Sequence, residues 1–75
     1  MSDPKYIDIG RLETRVIEEC SELIKALCKV DRFGWQSCHP KMPGLTNHDQ
    51  VMLEIDDVIE ACNRLKRNII NRRFE

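Results

Sequence analysis

The sequence has 75 residues, charged side chains at 33% of positions and a net charge of -1. A chain this short forms one domain at most, here residues 1–75, and small scaffolds usually need a staple or a partner. The 5% aromatic content disfavours a β-rich core, and the charge balance argues against general binding of nucleic acid or anionic membranes. Because neither a signal peptide nor a membrane-length apolar run is evident, we expect a cytoplasmic protein.

The first predicted element is a long amphipathic helix from about Ile7 to Arg32. Asp3 and Pro4 suit a helix start, whereas Gly10 weakens any helix that passes through it. From there on, apolar residues recur at helical spacing at Leu12, Val16, Cys20, Leu23, Leu27 and Val30.

A connection over residues 33–46 follows, and a loop this long is often functional. Two prolines and two glycines punctuate it, and it carries the only tryptophan. The second predicted helix runs from Asn47 to about Arg72, with Asn47 and Gln50 as a capping box. Its apolar stripe is Val51, Ile55, Val58, Cys62, Leu65 and Ile69. The sequence therefore predicts an all-α fold of two long antiparallel helices, which completes a four-helix-type bundle as a homodimer or homotetramer.

Each helix carries a pair of carboxylates on the same side of its apolar stripe. At about 100° per residue, Glu19 and Glu54 lie at the margins of the two stripes, and Glu22 and Asp57 lie about 60° further out. Antiparallel packing would bring these four acids to one place, where a divalent cation would offset their mutual repulsion. Solvated helix faces are the plain alternative.

The chemistry of the acids narrows the choice of metal. Ligation by oxygen atoms alone favours Mg²⁺, Mn²⁺ or Ca²⁺. A di-iron centre needs Glu-x-x-His motifs that these helices lack, and a zinc site built on Cys38, His39 and His48 has irregular spacing and no evident fourth ligand.

The acids also form two recognisable motifs. Glu18-Glu19-Cys20-Ser21-Glu22 has the form Glu-Glu-x-x-Glu, and Glu54-Ile55-Asp56-Asp57 has the form Glu-x-x-Asp. Together they resemble the signature of the MazG-like, all-α NTP pyrophosphatase superfamily, over about residues 12–65. The segments Arg32-Phe33-Gly34-Trp35 and His39-Pro40 are similar to those of small MazG-like proteins from bacteria and phages.

The resemblance implies an enzyme that hydrolyses a nucleoside triphosphate, ribo or deoxyribo, to the monophosphate and pyrophosphate. It implies Mg²⁺ as the cofactor, with Mn²⁺ as a substitute. The metal ligands that it implies are Glu19, Glu22, Glu54 and Asp57. A carboxylate, Glu18 or Glu22, would orient or deprotonate the attacking water, so the implied catalytic set is Glu18, Glu19 and Glu22.

Several other side chains are candidates for substrate binding. Trp35, together with Phe33, could stack on a base, although both aromatics could instead plug the loop against the bundle. His39 could contact the substrate or a phosphate. Phosphate donors could come from Lys29, Arg32, Asn63, Lys66 and Arg67, with solvated helix faces as the alternative. The alternative to an enzyme is a non-catalytic helical oligomer that binds a nucleotide or a protein partner.

Overall fold

A computed structural model describes residues 11–72, which form two helices packed against each other. Helix α1 spans Arg11–Phe33 and helix α2 spans Asn47–Arg72. The second predicted helix is confirmed at both ends. The first is confirmed from Arg11 and continues to Phe33, whereas its predicted start near Ile7 lies outside the described residues, as do the predicted start signal at Asp3 and Pro4 and the glycine at position 10.

The two helices meet along one heptad-spaced line of residues on each, which we call the inner seam. Every residue of this seam is buried or half-buried. On α1 its members are Leu12, Val16, Glu19, Leu23, Ala26 and Val30. On α2 they are Asn47, Val51, Glu54, Val58, Ala61, Leu65 and Asn68. The alternating steps of four and three residues are the spacing of antiparallel helices in bundles.

The centre of the interface is thus rotated from the predicted apolar stripes. Leu27 and Ile69, both expected in the core, are 45% and 54% exposed, whereas Ala26, Val51 and Ala61 are only 3–4% exposed. The apolar arc of each helix is wider than one neighbouring helix covers, so part of it stays outside. The small alanines sit where the helices contact each other.

The end of α1 and the start of α2 are joined by the side chain of Asn47, which is 8% exposed. Its Nδ2 donates to the carbonyl oxygen of Gly34 at 2.9 Å and to that of Lys29 at 3.4 Å. Gly34 ends α1 with a positive φ of 85° and donates its N–H to the carbonyl of Val30 at 2.8 Å. This left-handed cap favours glycine. Asn47 then satisfies the Gly34 carbonyl, which lies beyond the last hydrogen bond of α1, and adds a second donor to the Lys29 carbonyl within the last turn.

The predicted capping box of α2 is wrong by one residue, because the cap is Thr46. Thr46 Oγ1 accepts from the N–H of Asp49 at 3.2 Å, and the Thr46 N–H donates to Asp49 Oδ2 at 3.3 Å. Loop carbonyls satisfy the first two N–H groups of the helix: Ser37 accepts from Asn47 at 2.7 Å, and Trp35 accepts from His48 at 2.9 Å. The hydrogen bond with His48, followed by those with Thr46, holds the pKa of Asp49 below its ordinary 3.8.

The loop closes on itself in the same region. Cys38 and Thr46 form an isolated antiparallel bridge, and the rings of Trp35 and His48 meet edge to face at 6.2 Å between centroids. The loop is therefore tied to the first turn of α2. Within residues 11–72 no helix has the length and apolarity that crossing a membrane requires.

Candidate metal centre

Three carboxylates converge near the middle of the hairpin. One oxygen atom from each of Glu19, Glu54 and Asp57 lies within 4.8 Å of the other two. Glu19 and Glu54 occupy inner-seam positions, which bundles normally fill with apolar side chains. Glu19 is only 9% exposed, Glu54 is half-buried and Asp57 is exposed at the edge of the seam. Acids from both helices therefore meet in one polar layer of the interface.

Each seam acid has a polar partner one helical turn earlier on its own helix. Gln50 Nε2 donates to Glu54 Oε1 at 2.6 Å. Arg15 Nε lies 3.5 Å from Glu19 Oε1, and the Arg15 side chain is 59% exposed. These partners hold one oxygen of each glutamate. A spacing of i, i+4 between a donor and an acid is the sequence signal for both partners. Gln50 was predicted as part of a capping box, and Arg15 had no predicted role.

The fourth predicted metal ligand, Glu22, lies beside this cluster and not within it. Its side chain is 53% exposed, and Lys25 Nζ approaches Glu22 Oε1 at 3.9 Å. Glu22 is one turn from Glu19 and on the same side of the hairpin as Asp57. Glu18 is exposed and points further outward on α1. We call the side of the hairpin that carries Glu22 and Asp57 the acidic side.

Toward the loop, the acidic side ends in an open pocket of about 650 Å³. Apolar walls come from Phe33, Met42 and Leu45, and polar groups come from Lys29 and Gln50. Gln50 thus lines the pocket and also holds Glu54. Since Gln50 and Asp57 are two helical turns apart, the Gln50 edge of the pocket adjoins Glu54 and lies roughly 10 Å from Asp57 along the helix axis.

At the opposite end, the acidic side carries a polar pocket of about 430 Å³. Arg11, Arg64 and Arg67 line it together with Asn68. The side-chain oxygen of Asn68 is buried and accepts no hydrogen bond. Arg64 follows Asp57 by seven residues, so it lies about two turns, or roughly 10 Å, beyond the acids. Cationic groups therefore flank the acidic cluster at both ends.

The predicted substrate residues are divided between two sides of the hairpin. Lys29 and His39 line the loop pocket. Trp35 packs against His48, and Arg32 is exposed near the end of α1. Asn63 and Lys66 are exposed on the part of α2 that turns away from Asp57. The cations that α2 does place on the acidic side are Arg64 and Arg67. Arg67 was among the predicted phosphate donors, whereas Arg64 was not.

The donor set of the cluster fits a hard divalent cation. It offers carboxylate oxygens only, from two rigid helices, with Asp57 exposed to admit water or a ligand. No histidine or cysteine belongs to it, so the ligand chemistry that zinc prefers is lacking in this cluster.

The chain matches no model of a known protein family, no curated protein and no solved structure at a significant level. The resemblance to MazG-like proteins therefore rests on the motif residues. The geometry around those residues is an independent basis for inferring function.

Proposed function

We propose that this chain is a Mg²⁺-dependent nucleoside triphosphate pyrophosphohydrolase. The observation that carries the proposal is the convergence of Glu19, Glu54 and Asp57 within 4.8 Å, with two of them in an otherwise largely apolar seam. Like charges that are partly removed from water repel each other, and a divalent cation held between them offsets that cost. The resemblance to the MazG-like motifs points to the same acids and supplies the reaction class.

In this proposal Glu19, Glu54 and Asp57 hold Mg²⁺, with Mn²⁺ as a substitute. The cation would neutralise phosphate charge and acidify the attacking water. Glu22 is the better placed of the two predicted bases, because it lies on the acidic side next to the cluster, whereas Glu18 points outward. Its carboxylate would take a proton from the water as the oxygen attacks the α-phosphorus, and pyrophosphate would leave.

The two flanking pockets differ in chemistry, and this difference would set the orientation of the bound nucleotide. The loop pocket, with Phe33 and Met42, suits a flat base. The arginines of the opposite pocket suit terminal phosphate oxygens, which guanidinium groups bind in pairs. A triphosphate that extends between these pockets would pass over the acids. Gln50 and Arg15 would act as positioning residues, since each contacts an acid that holds the cation.

A second candidate function is a non-catalytic helical module that binds a protein or a nucleotide. Exposed isoleucines on both helices favour it, because apolar surface of this kind serves association. In that case metal binding and nucleotide turnover would separate: the acids would still bind the cation, but no pyrophosphate would form.

One assay tests the proposal directly. The full chain is incubated with a panel of ribo- and deoxyribonucleoside triphosphates and Mg²⁺, and released pyrophosphate is measured. We expect release from at least one nucleotide, and its loss by about 100-fold or more in Glu19→Gln and in Asp57→Asn. Glu60→Gln is the control, because Glu60 is an exposed acid that lies on α2 outside the cluster. The absence of pyrophosphate release from all nucleotides by the folded protein would refute the enzyme hypothesis.

A further inference from the structure

Each helix carries a second heptad-spaced apolar line, about 100° around the helix from the inner seam. We call it the outer seam. Its apolar members on α1 are Ile17, Cys20, Ile24 and Leu27. On α2 they are Met52, Ile55, Ile59 and Cys62. The isoleucines at positions 17, 24 and 59 are 67%, 61% and 53% exposed, so this surface has no partner within the described chain.

The two outer seams open on the same side of the hairpin. In a right-handed helix residues advance clockwise when seen from the N-terminus, and α1 and α2 run antiparallel with their inner seams facing. Equal offsets in the same rotational sense therefore turn both outer seams to one side. Glu22 and Asp57 lie about 80° from the inner seam in the opposite sense, so the acidic side faces the other way.

Charged or titratable residues border the outer seam at its ends and differ in character between the helices. On α1 the next heptad positions are Glu13 and Asp31, and on α2 they are His48 and Lys66. Both pairs are separated by 18 residues. The ends of the two seams thus match in spacing, and Glu13 and Lys66 also match in charge. His48 offers a ring nitrogen at the other end, where its Nδ1 lies 3.4 Å from Asp49 Oδ1 of the same chain.

We infer that a second copy of this chain covers the outer seam, with α1 of one copy antiparallel to α2 of the other. A two-fold axis parallel to the helices produces this arrangement. Such a rotation leaves each residue of the second copy at the same position along the bundle axis as its equivalent in the first copy. Within the chain Lys29 already lies beside Asn47, and Glu19 lies beside Asp57. The copy therefore meets α1 in nearly that register.

In one antiparallel register all six layers of the outer seam pair at once. The four apolar layers are Ile17 with Cys62, Cys20 with Ile59, Ile24 with Ile55 and Leu27 with Met52 of opposite copies. The end layers pair Glu13 with Lys66 and Asp31 with His48. The other two-fold arrangement, α1 on α1, would set the acidic residues Glu13 and Asp31 of two α1 seams against each other, which is unfavourable.

This dimer is a four-helix bundle with the polar layers of its two hairpins on the outside. Each acidic cluster comes from a single chain and faces solvent away from the interface. The inference is independent of the proposed hydrolase, since it uses none of the acids of that site.

Sedimentation velocity on the full chain tests the interface. We expect a dimer for the natural sequence, and a Kd raised about 100-fold or more by Ile59→Glu, since a symmetric dimer loses two buried isoleucines at once. The matched control is Leu53→Glu. Leu53 is 51% exposed on the same helix but lies outside the outer seam, so its replacement should leave the dimer intact. A monomeric natural chain, or an undisturbed dimer in Ile59→Glu, would overturn the inference.

Charge exchange at the end layers tests the orientation, even where Ile59→Glu fails to fold. We expect Lys66→Glu to weaken the dimer about 10-fold, since the symmetric interface then contains two like-charged contacts, and we expect added Glu13→Lys to restore it. The ion pair of Glu13 with Arg72, at 3.7 Å, is on the surface, so its loss costs little. Failure of the double variant to restore the dimer would exclude α1 on α2 as the arrangement.

Discussion

Replacing Glu19 by leucine should stabilise the metal-free protein and abolish its response to Mg²⁺. Glu19 is 9% exposed at an inner-seam position, and its oxygen lies within 4.8 Å of those of Glu54 and Asp57. At that distance, two carboxylates repel each other by roughly 1–3.5 kcal/mol for dielectric constants of about 80 to 20. Leucine removes this repulsion and adds roughly 1.5–3 kcal/mol of apolar burial when fully enclosed.

The losses in this substitution are small. Arg15 gives up its partner, but it is 59% exposed, so that pair contributes at most about 1 kcal/mol. Because the relaxed chain recovers only part of the gains, we expect a net stabilisation of about 2 kcal/mol without metal, which raises Tm by about 10 °C in a domain of this size. In the natural sequence, Mg²⁺ at 100 times its Kd should add about 2.7 kcal/mol, and in Glu19→Leu it should add nothing.

Thermal unfolding at one fixed protein concentration, in chelator and in Mg²⁺, measures both effects. Glu18→Leu is the matched control: the neighbouring acid on the same helix is exposed, so its replacement should change neither the metal-free Tm by more than a few degrees nor the response to Mg²⁺. A lower metal-free Tm in Glu19→Leu would show that the acid layer is not a cost to the fold. A retained Mg²⁺ response would show that the cation binds elsewhere.

Two further predictions concern the junction between the helices. Asn47→Ala should lower the free energy of unfolding by about 2 kcal/mol in urea, because two carbonyls lose their side-chain donor. The control Asn63→Ala, on an exposed face, should change it little. Equal stability of the two variants would contradict the role assigned to Asn47. Since Asp49 has a pKa below 3.8 in the folded chain, its stabilising contribution is present above that value and is lost as pH falls through the folded pKa. In thermal melts from pH 6 to 2, the Tm of Asp49→Asn should therefore lie below that of the natural chain, by a difference that shrinks below about pH 3.8. A difference in Tm that does not depend on pH would refute the stabilising role of the Asp49 carboxylate.

The helices and the acid motifs could be predicted from periodicity. The face of each helix that packs against the other helix could not. Leu27 and Ile55 fit the helical period as well as Leu23 and Val58 do, because each helix has apolar residues over two adjacent seams. Periodicity locates the whole arc and does not tell which half faces the same chain. Placing the acids at the margin of that arc followed from averaging over both halves, whereas the structure has Glu19 in the centre of the inner seam.

The sequence at the start of α2 contains two possible helix caps. Thr46 and Asn47 are both good N-cap residues, and each has a suitable polar residue three positions later, Asp49 and Gln50. The choice between them depends on the loop, because the Asn47 side chain is used for the carbonyls of α1, and Gln50 is used for Glu54. The Asn47 contact joins distant segments of the chain, and the Gln50 contact joins two turns of α2. Capping rules include neither kind of contact.

The acid layer and the outer seam are connected through the stability of the fold. Polar side chains at Glu19 and Glu54 take two central positions from the inner seam, and only Ala26, Val51 and Ala61 are buried apolar residues within residues 11–72. Such a hairpin has little apolar burial with which to offset the entropy of ordering its chain. Covering the outer seam adds four apolar layers without touching the acids, so the proposed dimer would allow the chain to keep a polar layer inside. Cation binding and dimerisation each favour the folded hairpin. We therefore expect Mg²⁺ to lower the Kd of the dimer wherever unfolding and dissociation are coupled. The substitution Glu19→Leu should remove that dependence on Mg²⁺.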